Sequence, residues 1–179
     1  IEALEALAKS NKSDLLTELL AAIERNDRKD HGEAGHAIHD LGHLLTTQPA
    51  AALARIRPQL QGIASGGQTA MARQIGYVAL ISADRDIGPT WNAALGSAAN
   101  LIDVVESIPL VPDAAVRTAS FDRVHALLSK LPKELEAQTK KAPDMRGRFV
   151  RVELVAPRPR ATAQPMPSSS ERMGNCRRV

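Results

Sequence analysis

The chain has 179 residues, of which 44% are hydrophobic but only 2% aromatic: one Trp, one Tyr and two Phe. A core of that composition is built from Ala, Leu, Ile and Val, which suits close-packed helices and argues against a sandwich or barrel. The net charge of +3 is local: residues 156–179 carry five Arg against one Glu, or +4, and taking that from +3 leaves −1 for the first 155, so the basic balance belongs to the tail and is weak evidence for nucleic acid.

Cys176 is the only cysteine, so an internal disulfide, a Cys-based zinc site and a CxxCH haem attachment are all excluded within this chain. No apolar run approaches the length of a membrane span.

In chain order, residues 1–9 read as the end of a helix, with Leu4, Leu7 and Ala8 on one side. Ser13 is placed to cap the next helix, whose apolar stripe is Leu16, Leu19, Leu20 and Ile23. Residues 26–30 read as a charged turn, and a third helix follows over 33–46. Pro49 fits the first turn of a fourth, holding Leu53, Ile56 and Leu60, which Pro58 should kink or split. Gly66-Gly67 is a stop. The next helix, 69–83, presents Met71, Ile75, Val78 and Ser82 as its stripe. Gly88-Pro89 restarts the chain ahead of Trp91, Ala94 and Leu95, and Trp91 reads as a core plug between helices. Residues 100–107 form another short helix with Leu101, Val104 and Val105. Pro109 and Pro112 bracket an extended connector, and Asp113 caps a helix with Phe121, Val124, Leu128 and Leu131 at helical spacing.

That order predicts an all-α unit of irregular antiparallel hairpins over residues 1–141, either a HEAT-like array or a bundle. Residues 147–155, Gly-Arg-Phe-Val-Arg-Val-Glu-Leu-Val, alternate apolar and charged positions as a half-buried strand does. Nothing else in the chain reads as a strand to pair with it, so its partners are expected outside the chain. Residues 142–155 are therefore read as a linker and the first strand of a truncated β module. The chain opens at Ile1 inside a helical pattern, which is read as an internal piece of a longer protein. Residues 156–179, rich in Pro, Arg and Ser, have too few large apolar residues to fold alone and are read as a disordered tail. A native linker and a shifted reading frame both fit that tail.

The sharpest candidate for chemistry is the set His36, His39 and His43. Spacings of three and four residues put all three on one stripe of the third helix, and neutral imidazoles at that spacing chelate metal. Asp40 would stand behind them as an orienting partner. Ile38, Leu41 and Leu45 lie on the opposite side, however, so the stripe is expected to face water, with no shaped pocket and no specific metal site. Residues 83–86 bring Asp84 and Asp86 together near a helix end, where a capping turn is the expected role; the spacing is not that of an EF-hand. Ser97, Ser120 and Ser129 lack a nucleophile elbow, His125 sits in an amphipathic helix, and Gly66-Gly67 lacks the Lys of a phosphate loop. No catalytic residue is assigned.

Four stretches occur together: Arg73-Gln-Ile-Gly-Tyr-Val-Ala-Leu-Ile-Ser-Ala-Asp84 followed by Trp91; Leu101-Ile-Asp-Val-Val-Glu-Ser-Ile-Pro-Leu-Val-Pro-Asp113 with Arg117; Val124 to Leu131-Pro132; and Gly147-Arg-Phe-Val-Arg-Val-Glu-Leu154. Over residues 70–155 they resemble a region of the large secreted c-type haem proteins of planctomycete-like bacteria. Those proteins join a dehydrogenase-like propeller, HEAT-like helices, a CxxCH haem domain and β-rich modules. The matching motifs are structural and carry no haem ligand onto any residue here. Ala156-Pro-Arg-Pro-Arg160 stands where the family's terminal strand continues.

The resemblance implies a non-catalytic helical scaffold or connector in a larger, periplasmic or extracytoplasmic redox protein. Its partners would be neighbouring domains of the same polypeptide, with no cofactor in this segment and haem c elsewhere. Nucleic acid and a membrane span are not expected. Two alternatives stand beside it: a metal- or haem-contacting module using His36, His39 and His43, and a generic helical interaction domain.

Overall fold

The computed structural model describes residues 2–28 and 34–129, and among them every regular element is helical. The strand expected over 147–155 and the tail lie outside the described residues, as does the boundary at 141.

Helix α1 (Glu2–Asn11) carries Glu2 and Glu5 in its first turn and Lys9 in its last, each sign favouring the helix dipole. Lys12, at φ 53°, turns the chain in the left-handed region. Helix α2 (Leu15–Asp27) is capped by Asp14, whose carboxylate accepts from Thr17 N at 2.8 Å. The expected cap, Ser13, instead donates its hydroxyl to Glu18 at 2.6 Å, one residue too early to reach the helix amides. Of the expected stripe, Leu19, Leu20 and Ile23 are buried and Leu16 is half-buried against the core. The charged turn expected from Asn26 starts later, because Asn26 donates its side-chain amide to Ala22 O at 2.8 Å and the helix runs through Asp27.

Helix α3 (Ala34–Thr46) buries Ile38 and Leu45. Pro49 is the N-cap residue of α4 (Ala50–Arg55), and α5 (Arg57–Gly66) follows across Ile56 alone. This is the split expected of Pro58: a proline is tolerated in the first turn of a new helix, where its missing N–H is no loss.

Helix α6 (Ala70–Asp84) departs most from its reading. The expected stripe was Met71, Ile75, Val78 and Ser82, but every residue from Ile75 to Ile81 is buried and Met71 is 41% exposed. The helix is central, packing against α2, α3, α4, α5 and α8, and against α7 (Gly88–Ala94). A helix surrounded on all sides has no polar face to generate periodicity. Gly76 permits the tightest of these contacts: a Cβ there would stand 2.6 Å from Ala64 N and 2.8 Å from Ala64 Cα of α5. Thr69 caps α6, and Arg85 ends it in the left-handed region at φ 52°.

Trp91 of α7 is buried, as expected. Helix α8 (Ala98–Ser107), capped by Ser97, buries Leu101, Ile102, Val104 and Val105 and also the carboxylate of Asp103. The extended connector expected at Pro109 is a 3-10 turn, Ile108–Leu110, because proline fits the first turn of a tight helix as well as an extended segment. Asp113 caps the next helix, as expected, with Ala115 N donating to it at 2.8 Å. That helix is two elements: α9 (Ala114–Ala119) stops at Ser120, and α10 (Phe121–Ser129) restarts at once. The buried Ser120 hydroxyl donates to Val116 O at 2.8 Å, a local bond that competes with helix continuation.

Candidate functional site

His39 and His43 project from successive turns of α3, and both are exposed, as the sequence implied. The expectation that no pocket adjoins them is wrong. Both line a cleft of about 330 Å³ between α3 and α6, with Gly42, Thr46, Met71, Gln74, Ile75, Val78 and Leu110. The side chain of His36 lies outside the described residues. At one edge of the cleft α3 comes down on Ile75 at Gly42, which is buried and has no Cβ; a Cβ there would collide with the Ile75 side chain. Met71 and Leu110 are two of the three large hydrophobic residues that remain exposed among the described residues. Asp40 Oδ1 lies 3.6 Å from His39 Nδ1. Among the described residues, no group of three or more His, Cys, Asp and Glu is gathered closely enough to hold a metal.

The other charged residues singled out by the sequence serve as ties between elements. Asp84 pairs with Arg57 of α5, and Asp86 accepts from Gly88 N at 3.0 Å in the turn that leads into α7. The two carboxylates thus face different partners. Arg117 donates to the carbonyls of Val111 and, at 2.9 Å, Pro112, fixing the turn ahead of its own helix. Gln74 donates to Glu106 at 2.8 Å. His125 stacks on Phe121 with ring centroids 5.8 Å apart.

Three buried carboxylates, Glu18, Asp27 and Asp103, went unrecognised in the sequence. Arg73 Nε donates to Asp103 at 2.6 Å, and the Asp103 side chain is 3% exposed. Asp27, at the end of α2, accepts from Gln68 N at 2.6 Å, Thr69 N at 2.9 Å and the Thr69 hydroxyl at 2.6 Å. Burial alone would raise the Asp27 pKa; the Thr69 and Gln68 donors, with Arg73 nearby, overcome it and hold the carboxyl below its ordinary value. Glu18 is likewise held low by hydrogen bonds from Ser13 and Asn11. Burial, reinforced by the Asp103 charge, pushes the Tyr77 phenol up. An Asp inside an apolar run carries no sign of its partner when that partner lies on another helix.

A second cavity, of about 210 Å³, is lined by Arg57, Gln61, Tyr77, Leu80, Pro89 and Thr90 among others. The Thr90 hydroxyl is buried and has no hydrogen-bond partner among the described residues. Arg57, its one cation, is already engaged by Asp84.

No family model matches the sequence, and no curated protein or solved structure matches it either.

Proposed function

We propose that this chain is a non-catalytic helical scaffold or connector, an irregular HEAT-like arrangement of antiparallel hairpins within a larger extracytoplasmic c-type haem redox protein. Its partners are the neighbouring domains of the same polypeptide. The observation that carries the scaffold reading is the use made of the polar residues in the motifs. Arg73, Asp84, Asp103 and Arg117 each tie one helix or turn to another, and Asp113 caps its own helix. These ties hold the central helix to its neighbours α5 and α8 and leave the motif residues engaged in structure, which supports a structural role. No described helix is long and apolar enough to cross a membrane, so attachment through a described helix is not part of the reading. The redox context rests on the resemblance of residues 70–155.

The test is made on the native protein in its source cells. An antibody against residues 2–129 should detect, in the extracytoplasmic fraction, a polypeptide much longer than this chain. Its band on a denaturing gel should stain for covalent haem. A long band without haem would favour the generic interaction domain. A band of this chain's own length would defeat the connector reading.

A further inference from the structure

We propose that His39, His43 and Met71 form a binding site for one cuprous ion at the mouth of the cleft between α3 and α6. The proposal does not depend on the scaffold reading or on the resemblance.

His39 and His43 stand one helical turn apart on α3, a spacing that sets their Cβ atoms about 5–6 Å apart and lets both imidazoles reach one ion. Both line the same cleft as Met71, which sits in the first turn of α6. The contact between the two helices explains why these residues line one cleft. Gly42 meets Ile75 where α3 and α6 approach; His43 follows Gly42 directly, and Met71 precedes Ile75 by one turn. Met71 is 41% exposed, so its thioether is not used to fill the core.

The donor set selects the ion. Two neutral imidazoles and a thioether are soft and carry no charge, which suits a monovalent soft ion satisfied by two or three ligands. Zinc wants four ligands, commonly including thiolate or carboxylate. The sequence reading rejected a metal because the stripe was expected to face water with no pocket beside it; the cleft supplies that pocket, and a cuprous ion is satisfied without a fourth ligand. Asp40 lies on the Nδ1 side of His39, at 3.6 Å, so Nε2 is the nitrogen left to meet an ion. Ile75, Val78 and Leu110 give the cleft apolar walls that limit competition from water.

The experiment titrates the full chain, carrying Cys176→Ser to remove its one thiol, with cuprous ion under anaerobic conditions against the chromophoric chelator bicinchoninate. One equivalent should be withdrawn from the chelator. Met71→Leu, which keeps the volume, and His43→Ala, at an exposed position, should each weaken binding by about 10- to 100-fold. Their helical circular dichroism and urea midpoints should match the parent, showing that the fold is kept. X-ray absorption of the loaded parent should show sulfur scattering that Met71→Leu removes, and zinc should not bind at submicromolar concentration. Failure to compete with the chelator would overturn the proposal. So would uptake undiminished by Met71→Leu, which would move the ion to Met145, Met166 or Met173, or submicromolar one-to-one zinc binding lost in His39→Ala, which would make this a zinc site.

Discussion

Arg73 on α6 and Asp103 on α8 form a 2.6 Å charge-assisted hydrogen bond in which the carboxylate is almost completely shielded from water. The same guanidinium donates to the carbonyls of Gly67 at 3.0 Å and Gln68 at 3.2 Å. The amides of Gln68 and Thr69 in that turn donate to Asp27 of α2. One turn is therefore gripped from both sides, its carbonyls by a cation and its amides by an anion, and through it α2, α6 and α8 are tied together.

The pair predicts an asymmetry between its two truncations. Arg73→Ala leaves Asp103 charged and buried without compensation, and should cost about 3–5 kcal/mol. Asp103→Ala leaves Arg73 its two carbonyls and partial access to water, so its cost should be clearly smaller. Urea denaturation of both variants decides it. Equal losses would mean that the pair acts only as a contact, not as a shielded charge.

Asp27 makes stability depend on acid. Its folded pKa is depressed below the ordinary 3.8, so its stabilisation is present above that value and is lost as pH falls through the folded pKa. Between roughly pH 4 and pH 2 the parent should lose stability more steeply than Asp27→Asn, which cannot titrate there. At neutral pH the parent should be the more stable, because the amide supplies only one oxygen where the carboxylate supplies two. Parallel urea midpoints across that acid range would remove Asp27 from the account.

Two glycines should respond in opposite ways to alanine. Gly76→Ala places a methyl against the backbone of Ala64, which no side-chain rotation relieves, so α5 and α6 must separate. A loss of about 3 kcal/mol or more is expected from such overpacking. Gly62, in the interior of α5, has no atom within 4 Å of the position a Cβ would take. Gly62→Ala should stabilise by roughly 0.5–1 kcal/mol through helix propensity. Thermal denaturation of the two single variants checks both signs.

The helices and their breaks were legible in the sequence because they are set locally. Pro58, the Gly66-Gly67 stop and the cap at Asp113 act through their own or adjacent turns, whereas the cap at Ser97 was not read. What the sequence hid is what depends on neighbours. The centrality of α6 erased its stripe, since a helix apolar on every side has no period to read. The break at Ser120 was masked by apolar spacing that continues in register across it. At the candidate site, His39 and His43 were visible from their spacing, but Met71 was read as a core position of another helix. Only the Gly42–Ile75 contact shows that the two elements share a cleft.

Trp91 supplies the last prediction. Helix α7 has seven residues, too few to persist on its own, and it opens on Gly88-Pro89, so tertiary contact must hold it. Trp91 is its largest side chain, 6% exposed, in a helix that packs on both α6 and α8. Trp91→Ala should cost about 3–5 kcal/mol from lost transfer energy and the cavity left behind. Trp91→Phe, which keeps an aromatic ring in the same space, should cost less. The residue is the only tryptophan, so the parent's own fluorescence reports the same site. Its emission should be blue-shifted in the native state and move red in one step with the loss of helical circular dichroism in urea. A red-shifted native emission, or a Trp91→Ala variant as stable as the parent, would mean that α7 is held by other contacts.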